Sequence, residues 1–444
     1  MAEFIGSLWW YLVTISILVT FHEFGHFWVA RRCGVKVLRF SIGFGKPLWT
    51  RVGADGTEYV LAAIPLGGYV SMLDERVDEV PAELRGQAHN NKSTGQKIAI
   101  AAAGPAFNLL LAVLAFWLMF TVGKPDFLPV IGTPEGVAKQ AGLRSGSTLL
   151  EVDGRESPTW SLAYGEVVEA ALYRRDLTLR VREPDGDERS LVLPLSGIPR
   201  AVEDRDLARA IGLRASGFAF VAAELSAGDP AALAGIEPGD RLLSINGKQA
   251  RDFDAFVELL QQEAAKDPRV RIGVDRAGER LELDVDARHE TKGDPNSRFL
   301  IGVRPRAPEP NTTLRYPPLA ALPAALSETW VTTGKTLTLL RDMLVGVISP
   351  KHLSGPVTIA RVANAVAAHG LAWFLGFLAA VSVGIAILNL LPVPILDGGH
   401  ILRYLIESIR GQALSERVER IGQTLGLVVL AGLIGLALFN DLLR

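Results

Sequence analysis

The chain has 444 residues, of which 49% are hydrophobic and 21% charged, and its formal net charge at pH 7 is -2. A chain of this length is too long for one typical hydrophobic core, so several folding units are expected. The balanced charge predicts no nucleic-acid partner, and the single cysteine, Cys33, excludes an intramolecular disulfide framework.

Four stretches contain no Asp, Glu, Lys or Arg over about the 20 residues that a membrane helix needs. They run from Phe4 to Phe21, from Ile98 to Gly123, from Leu371 to Ile395 and from Ile421 to Asn440. The pattern predicts a membrane α-helical protein with four transmembrane helices, bounded at 1–30, 98–123, 371–397 and 421–441. The lipid bilayer is therefore an expected partner.

The end of the first apolar stretch carries the run His22-Glu23-Phe24-Gly25-His26, which is an H-E-x-x-H motif. On an α-helix the two histidines lie one turn apart on one face, so both can bind one Zn²⁺ while the glutamate reaches a water. Ionisable side chains are costly within a membrane helix and usually mark function. The motif therefore predicts His22 and His26 as zinc ligands and Glu23 as the catalytic base.

The segment 31–97 contains a stretch from Val35 to Met72 that is rich in β-branched and aromatic residues with glycine breaks. This composition predicts a small β-sheet next to the first helix. A plain structural hairpin is the alternative interpretation. The stretch ends with a glycine-containing run that includes Gly67, Gly68, Tyr69 and Val70.

Basic residues in short loops indicate orientation, because such loops are enriched in Lys and Arg on the cytoplasmic side. The segment after the first helix and the 398–420 loop together carry Arg31, Arg32, Lys36, Arg39, Lys46, Lys92, Lys97, Arg403, Arg410, Arg417 and Arg420. Both are predicted to be cytoplasmic, so the small sheet is expected there too. Both termini and the segment from about Lys124 to Gly370 are then external.

The external segment contains an internal repeat, in which residues 141–155 match residues 234–248 at a constant offset. Each copy is expected to form a short helix, an apolar strand, a tight turn, a second helix and a hairpin. The predicted strands are Thr148 to Val152 and Arg241 to Ile245, the helices Ser161 to Leu172 and Asp254 to Glu263, and the hairpins Leu177 to Leu195 and Arg269 to Val285. Two α+β domains are expected between the second and third helices, at 124–200 and 215–305.

The second copy resembles a bacterial PDZ domain, most clearly in the run from Pro230 to Leu243. PDZ domains bind extended peptide ends by adding a strand to a sheet edge. The first copy has Ser145-Gly146-Ser147 where the second has Pro238-Gly239-Asp240, so peptide binding is expected less of the first copy. The alternative is that both domains are only bulky covers over the membrane part.

The segment 306–370 begins with a proline-broken, partly apolar stretch between Ala307 and Lys351. Lys335 and Arg341 are spaced as on the polar face of a helix, so the stretch is predicted to be a helix on the membrane surface. A fifth membrane crossing is the competing interpretation.

A catalytic zinc normally has three protein ligands and one open position. Asp397 is the best candidate for the third, with His400 as its rival, because Pro392 and Pro394 must interrupt the third helix there. Unwound backbone at membrane depth is tolerated where it lines a cavity or is buried in protein. The first and third helices run in the same direction only without a fifth crossing, so a single site also favours the surface helix.

These motifs resemble those of the site-2 proteases, most closely the bacterial regulator of sigma-E protease (RseP) type, over nearly the whole chain. The matching elements are the H-E-x-x-H run, Gly104-Pro105-Ala106-Phe107-Asn108, the paired PDZ domains, Leu353-Ser354-Gly355-Pro356 and the run from Asn389 to His400. The resemblance implies that Asp397 is the third zinc ligand. It also implies that Asn389 contacts the substrate near the scissile bond and that the sheet around Gly67 to Val70 holds the substrate as an added strand.

The resemblance further implies zinc-dependent cleavage of a single-pass membrane protein, such as an anti-sigma factor already shortened on its external side, and of signal-peptide remnants. Cleavage at the bacterial inner membrane would release a cytoplasmic fragment in regulated transmembrane signalling of the envelope stress response. A membrane-anchored PDZ scaffold with a vestigial metal site is the main alternative. A zinc-dependent hydrolase of lipids or small molecules is another. An intact Glu23 with a complete ligand set favours the protease.

Overall fold

The computed structural model describes residues 2–76, 79–199, 202, 204–216, 220–226, 228–250, 253–290, 297–306, 309–346, 355–412 and 414–443. The chain divides into two compact units, Met1–Lys124 with Arg315–Arg444 and, separately, Pro125–Leu314. Leu353 and Ser354 of the Leu-Ser-Gly-Pro motif lie outside the described residues.

The first unit begins with two long helices that flank a β-hairpin. These elements are α1 Ala2–Arg32, β1 Val37–Val52, β2 Glu58–Met72 and α2 Thr94–Val122. Both helices are apolar and long enough to cross a bilayer. Helix α2 begins at a capping box, in which Gln96 N–H donates to the Ser93 hydroxyl at 3.3 Å and Ser93 N–H donates to Gln96 Oε1 at 3.1 Å.

The hairpin of β1 and β2 is curled, so that residues 39–42 pair with residues 58–61 on one side and with residues 68–71 on the other. Within the described part of the chain, residues 68–72 have no strand on their second side and therefore form an edge of the sheet. An edge presents unpaired N–H and C=O groups that can receive another strand. Phe27 of α1 packs against Phe40 of the sheet, with ring centroids 5.2 Å apart. A two-stranded sheet therefore lies beside the first helix, as both the predicted small sheet and the alternative hairpin require.

The middle of the chain forms two similar α+β repeats. The helices are α3 Gly136–Gln140, α4 Trp160–Leu172, α5 Asp204–Ile211, α6 Pro230–Leu233 and α7 Phe253–Ala264. The strands are β3 Lys124–Asp126, β4 Thr148–Val152, β5 Arg155–Glu156, β6 Leu177–Arg182, β7 Glu188–Leu193, β8 Ala222–Leu225, β9 Arg241–Ile245, β10 Lys248–Gln249, β11 Arg269–Arg276, β12 Glu279–Asp286, β13 Arg288–His289, β14 Phe299–Leu300, β15 Val303–Pro305 and β16 Thr312–Leu314. Each repeat has a four-stranded sheet, in the orders β5-β4-β6-β7 and β10-β9-β11-β12.

The turns and the cores of the two repeats correspond. Asp153-Gly154 and Asn246-Gly247 have positive φ at both positions, as the predicted tight turns require. Each repeat has its own buried hydrophobic cluster. The first cluster includes Leu207 and Leu213, so the first repeat extends beyond the boundary predicted at residue 200.

The rest of the first unit is helical. Its helices are α8 Pro318–Leu344, α9 Pro356–Ala368, α10 Leu371–Leu390, α11 Asp397–Arg410 and α12 Glu416–Leu443. With α1 and α2, helices α10 and α12 make four candidate membrane spans among the described residues. Neither α8 nor α9 is among these spans, and the assignment of α8 to the membrane surface stays a prediction.

The third predicted membrane helix ends earlier than expected. Helix α10 stops at Leu390, and a new helix, α11, starts at Asp397. The predicted bounds 371–397 and 398–420 are therefore corrected, because most of the predicted loop is helical. Pro392 and Pro394 remove two backbone donors and prevent α10 from continuing through them.

The end of α12 is fastened to the start of α9 by Asp441. Its carboxylate accepts the N–H groups of Gly355 at 3.0 Å and Val357 at 2.9 Å, together with the N–H and hydroxyl of Thr358 at 3.2 and 2.6 Å. Gly355 permits this approach, since an added Cβ would lie 2.5 Å from Asp441 Oδ2. Asp441 thus acts as an N-cap supplied by another helix.

Candidate metal centre

His22 and His26 face α2 from one side of α1, and two glycines allow the helices to approach. A Cβ atom at Gly25 would lie 2.5 Å from the carbonyl oxygen of Ala103, and one at Gly104 would lie 2.3 Å from His26 Nε2. Real Cβ atoms do not approach other atoms so closely. The backbone of α2 therefore forms the floor beneath the two imidazoles.

Three side chains converge above this floor. Nε2 of His22 lies 3.2 Å from Nε2 of His26 and 3.1 Å from Oδ2 of Asp397, and His26 Nε2 lies 3.5 Å from Asp397 Oδ1. Zinc with ligands at about 2.0–2.2 Å in a tetrahedron has ligand atoms about 3.3–3.6 Å apart. The separations therefore fit a single zinc ion, and these residues form the one His/Cys/Asp/Glu group of metal-ligand spacing among the described residues.

Asp397 reaches the histidines because the chain folds back tightly after α10. An added Cβ at Gly398 would lie 2.2 Å from the carbonyl oxygen of Leu390, and one at Gly399 would lie 2.2 Å from that of Val393. Only glycine fits at these two positions in the first turn of α11. Asp397 Oδ2 is buried and accepts no hydrogen bond within the described residues, which suits an atom intended for a cation.

Helix α2 also orients one of the imidazoles. Nδ1 of His26 lies 2.8 Å from the carbonyl oxygen of Ile100, and because a carbonyl only accepts, Nδ1 must carry the proton. This leaves the lone pair of Nε2 free for a metal. Pro105 lacks an N–H and so frees the carbonyl of Ala101 in the same turn. Sequence reasoning assigned no role to Ile100, because a backbone acceptor leaves no signature in side-chain identity.

Glu23 lies between the ligands and the edge of the small sheet. A Cβ atom at Gly68 would lie 3.2 Å from Cγ of Glu23 and 2.7 Å from the carbonyl oxygen of Ser41, so the edge strand passes directly beside the side chain of Glu23. A cavity of 550 Å³ opens here, and its lining includes Glu23, His26, Val70, Met72, Asp397 and His400. The predicted base, two predicted ligands and one predicted edge residue therefore share one cavity.

The remaining predicted site residues are Gly67, Tyr69 and Asn389, and their surroundings differ. Gly67 packs under the ring of Phe44, since an added Cβ would lie 2.1 Å from that ring, and Tyr69 stacks on Phe44 with centroids 6.3 Å apart. Asn389 is half-buried on the last turn of α10. Asn389 is not among the described residues that line the 550 Å³ cavity.

His400, the rival third ligand, lines the cavity from α11 one turn after Asp397. Burial and, after it, the positive charge of Arg403 lower the pKa of the His400 imidazole. A neutral imidazole could itself bind zinc, but His400 is not part of the group of metal-ligand spacing formed by His22, His26 and Asp397. The geometry therefore favours Asp397, as the sequence predicts.

Known proteins match the whole chain. The model of peptidase family M50 matches residues 10–433. A protein named a zinc metalloprotease in Xylella fastidiosa (strain 9a5c) is 43% identical over 448 residues, covering 100% of both chains. Protease RseP of Yersinia pestis is 41% identical over 457 residues, and regulator of sigma-E protease RseP of Escherichia coli (strain K12) is 39% identical over 453 residues, each also with 100% of both chains covered. The chain therefore belongs to peptidase family M50, the site-2 proteases, and is a metalloprotease.

Proposed function

We propose that the chain is a zinc-dependent intramembrane protease that cuts single-pass membrane proteins within their transmembrane segment. His22, His26 and Asp397 are the proposed ligands, and Glu23 is the proposed general base. The observation that carries the proposal is the convergence of three side chains whose nitrogen and oxygen atoms lie 3.1–3.5 Å apart. His22 and His26 lie on a helix long enough to cross a bilayer, and Asp397 follows the end of a second such helix, α10. Relatives named zinc metalloproteases support the choice of metal.

When bound, zinc would make water more acidic and polarise the carbonyl of the scissile bond. Glu23 would accept a proton from the attacking water and return it to the leaving amide nitrogen. The Ile100 carbonyl holds the proton of His26 on Nδ1, so this ligand need not change its tautomer.

A membrane helix hides its peptide carbonyls in hydrogen bonds, so the substrate must unwind before it is cut. The edge at residues 68–72 offers free backbone groups next to Glu23, and an extended substrate could pair there as an added strand. Asn389, on the last turn of α10 before the helix ends at Leu390, would contribute a side-chain hydrogen bond to the substrate backbone.

The two repeats are proposed to be PDZ domains on the periplasmic side of the inner membrane, the side that also holds both termini. Both repeats belong to the unit Pro125–Leu314, which contains a cavity of 1190 Å³. Residues of both repeats line this cavity, including Tyr164, Leu213, Phe256 and Ile301. A cavity lined by a helix and a loop next to a strand suits an extended peptide end. We propose that the pair screens substrates mainly as a steric filter. Deleting residues 135–304 should then permit cleavage of unshortened substrate, and continued rejection would refute the filter.

The proposed substrates are single-pass membrane proteins shortened by a prior external cut, such as an anti-sigma factor, and remnants of signal peptides. Relatives named regulator of sigma-E protease support this choice. Cleavage near the cytoplasmic ends of α1 and α10 would release a cytoplasmic fragment and transmit an envelope stress signal.

The test compares purified wild type, Glu23→Gln and Asp397→Ala, each assayed for zinc content and for cleavage of a single-pass substrate. The proposal predicts one zinc in wild type and Glu23→Gln, less in Asp397→Ala, and cleavage by wild type alone. If Glu23→Gln cuts as fast as wild type, Glu23 is not the base. If wild type binds zinc and cuts no peptide, a scaffold or a hydrolase of other molecules replaces the protease.

A further inference from the structure

Asn108 lies three residues after Pro105 on α2, completely buried, and its side chain faces the first zinc ligand. Its amide nitrogen Nδ2 lies 3.2 Å from Nδ1 of His22. Its oxygen Oδ1 is buried and has no hydrogen-bond partner among the described residues. A polar side chain in an apolar helix without a complete set of partners is costly, so its presence calls for a function.

The imidazole of His22 decides which amide atom must face it. If Nδ2 donates to Nδ1, the proton of the neutral ring lies on Nε2, and that nitrogen cannot bind a metal. If the amide is turned by half a rotation, Oδ1 occupies the same position and accepts the proton of Nδ1. Nε2 then keeps its lone pair and points at Asp397, 3.1 Å away.

The second ligand already uses this arrangement. Nδ1 of His26 meets the carbonyl oxygen of Ile100 at 2.8 Å, an atom that can only accept. Helix α2 therefore supplies one acceptor for each imidazole, a backbone carbonyl for His26 and, in the turned orientation, a side-chain carbonyl for His22.

The backbone at Asn108 is held in place by the helix that leads to the third ligand. Ser382 of α10 donates its hydroxyl to the carbonyl oxygen of Asn108 at 2.7 Å, and both residues are completely buried. The same bond therefore ties α10 to the turn of α2 that faces His22.

We infer that Asn108 is a positioning residue of the metal centre, whose Oδ1 accepts the Nδ1 proton of His22 and holds the ring in its zinc-binding tautomer. This inference rests on the proposed zinc site. Loss of a hydrogen-bond partner behind a metal-ligating histidine typically weakens metal affinity by about 10–100-fold. The same loss is expected here.

The experiment measures the affinity of the full-length protein for Zn²⁺ in detergent, by competition with a chelator of known affinity. Asn108→Leu keeps the size of the side chain and removes its polar atoms, and Asn108→Asp keeps only acceptors. Asn364→Leu on α9 is a matched control away from the site. Thermal unfolding without metal reports whether each variant is folded, and His22→Ala gives the affinity of a site that has lost a ligand.

The inference predicts that Asn108→Leu binds Zn²⁺ about 10–100-fold more weakly than wild type, while Asn108→Asp and Asn364→Leu stay within about threefold. The pair distinguishes an acceptor from mere packing, because Leu has about the size of Asn and Asp has its shape, so a function of packing alone would leave both variants near the wild-type affinity. Equal affinity in all variants, or equal loss in Leu and Asp, would overturn the inference and leave the proposed zinc site intact. If wild type itself binds no Zn²⁺, or His22→Ala binds as tightly as wild type, the proposed site fails and this inference with it.

Discussion

Gly104 of α2 lies so close to His26 of α1 that a Cβ atom at position 104 would be 2.3 Å from Nε2 of the imidazole. The same atom would be 2.7 Å from Nε2 of His22. A single added methyl group would therefore occupy the space beneath both ligand atoms. The Gly-Pro pair at 104 and 105 is thus explained by two separate needs, room for the ligands and an opened helical turn.

Gly104→Ala should strip the protein of zinc, because the methyl group displaces both imidazoles from their shared position. We expect zinc content to fall by at least about tenfold, with a loss of cleavage to match. Metal analysis of the purified variant measures this. Gly95→Ala is the control on the same helix, since nothing lies within 4 Å of a Cβ there. Full zinc content in Gly104→Ala would contradict the described approach of α1 and α2.

Proline in the edge strand should lower cleavage without loss of zinc. Along an antiparallel edge, successive N–H groups point alternately to the neighbouring strand and outward. Of Tyr69→Pro and Val70→Pro, one therefore removes an outward N–H that a substrate strand would use. Tyr69→Ala and Val70→Ala are the controls, since both keep the N–H. Strand addition is contradicted if both proline variants bind zinc and cleave at the wild-type rate.

Asp441→Ala should loosen the start of α9. The carboxylate accepts three backbone N–H groups and one hydroxyl, and loss of a helix cap typically costs about 1 kcal/mol. Hydrogen exchange at the amides of Val357 and Thr358 should become faster, while exchange within α2 stays the same. Asp441→Asn keeps an acceptor, so its exchange rates at these amides should lie between those of wild type and Asp441→Ala. Unchanged exchange in the alanine variant would refute the cross-helix cap.

The second repeat should lose stability in acid through Glu263. Lys266, Lys248 and Asn246 donate to its carboxylate at 2.7, 2.9 and 3.2 Å and lower its pKa from 4.5 to about 2. Because the folded pKa is below the unfolded one, this stabilisation is complete above pH 4.5 and is lost as the pH falls towards 2.

Glu263→Gln removes the charge at every pH, so its deficit against wild type should be largest near neutral pH and shrink in acid. Denaturant midpoints measured by circular dichroism at roughly pH 5 and pH 3 would check this. A stability deficit of the same size at both pH values would show that these partners do not lower the pKa of the Glu263 carboxylate.

The sequence predicts much of this site because its signals are local. The H-E-x-x-H spacing places two ligands on one helical face, and the strands Thr148–Val152 and Arg241–Ile245 begin and end where the repeat predicts. The start of α11 at Asp397 is less visible, because Gly398 and Gly399 are poor helix formers. Glycine is nevertheless needed at both positions, because the carbonyls of Leu390 and Val393 leave no room for a Cβ atom.

Tertiary contacts also explain the end of the first repeat. The segment before Leu207 is charged and resembles a linker in composition, yet Leu207 and Ile211 of α5 are buried in the first core. A helix of eight residues is too short to be stable by itself and depends on such burial, so the local sequence alone does not predict it. The edge at residues 68–72 also depends on tertiary contacts, because it forms only where β2 bends back along β1.

The position of the scissile bond tests the central claim most directly. A single-pass substrate would be incubated with wild type or Glu23→Gln in lipid vesicles, and its products identified by mass spectrometry. We predict one cut inside the apolar segment by wild type, and none by Glu23→Gln with the same zinc content. Cuts confined to the soluble parts of the substrate, or the same intramembrane cut by Glu23→Gln, would contradict an intramembrane metalloprotease centred on His22, His26, Asp397 and Glu23.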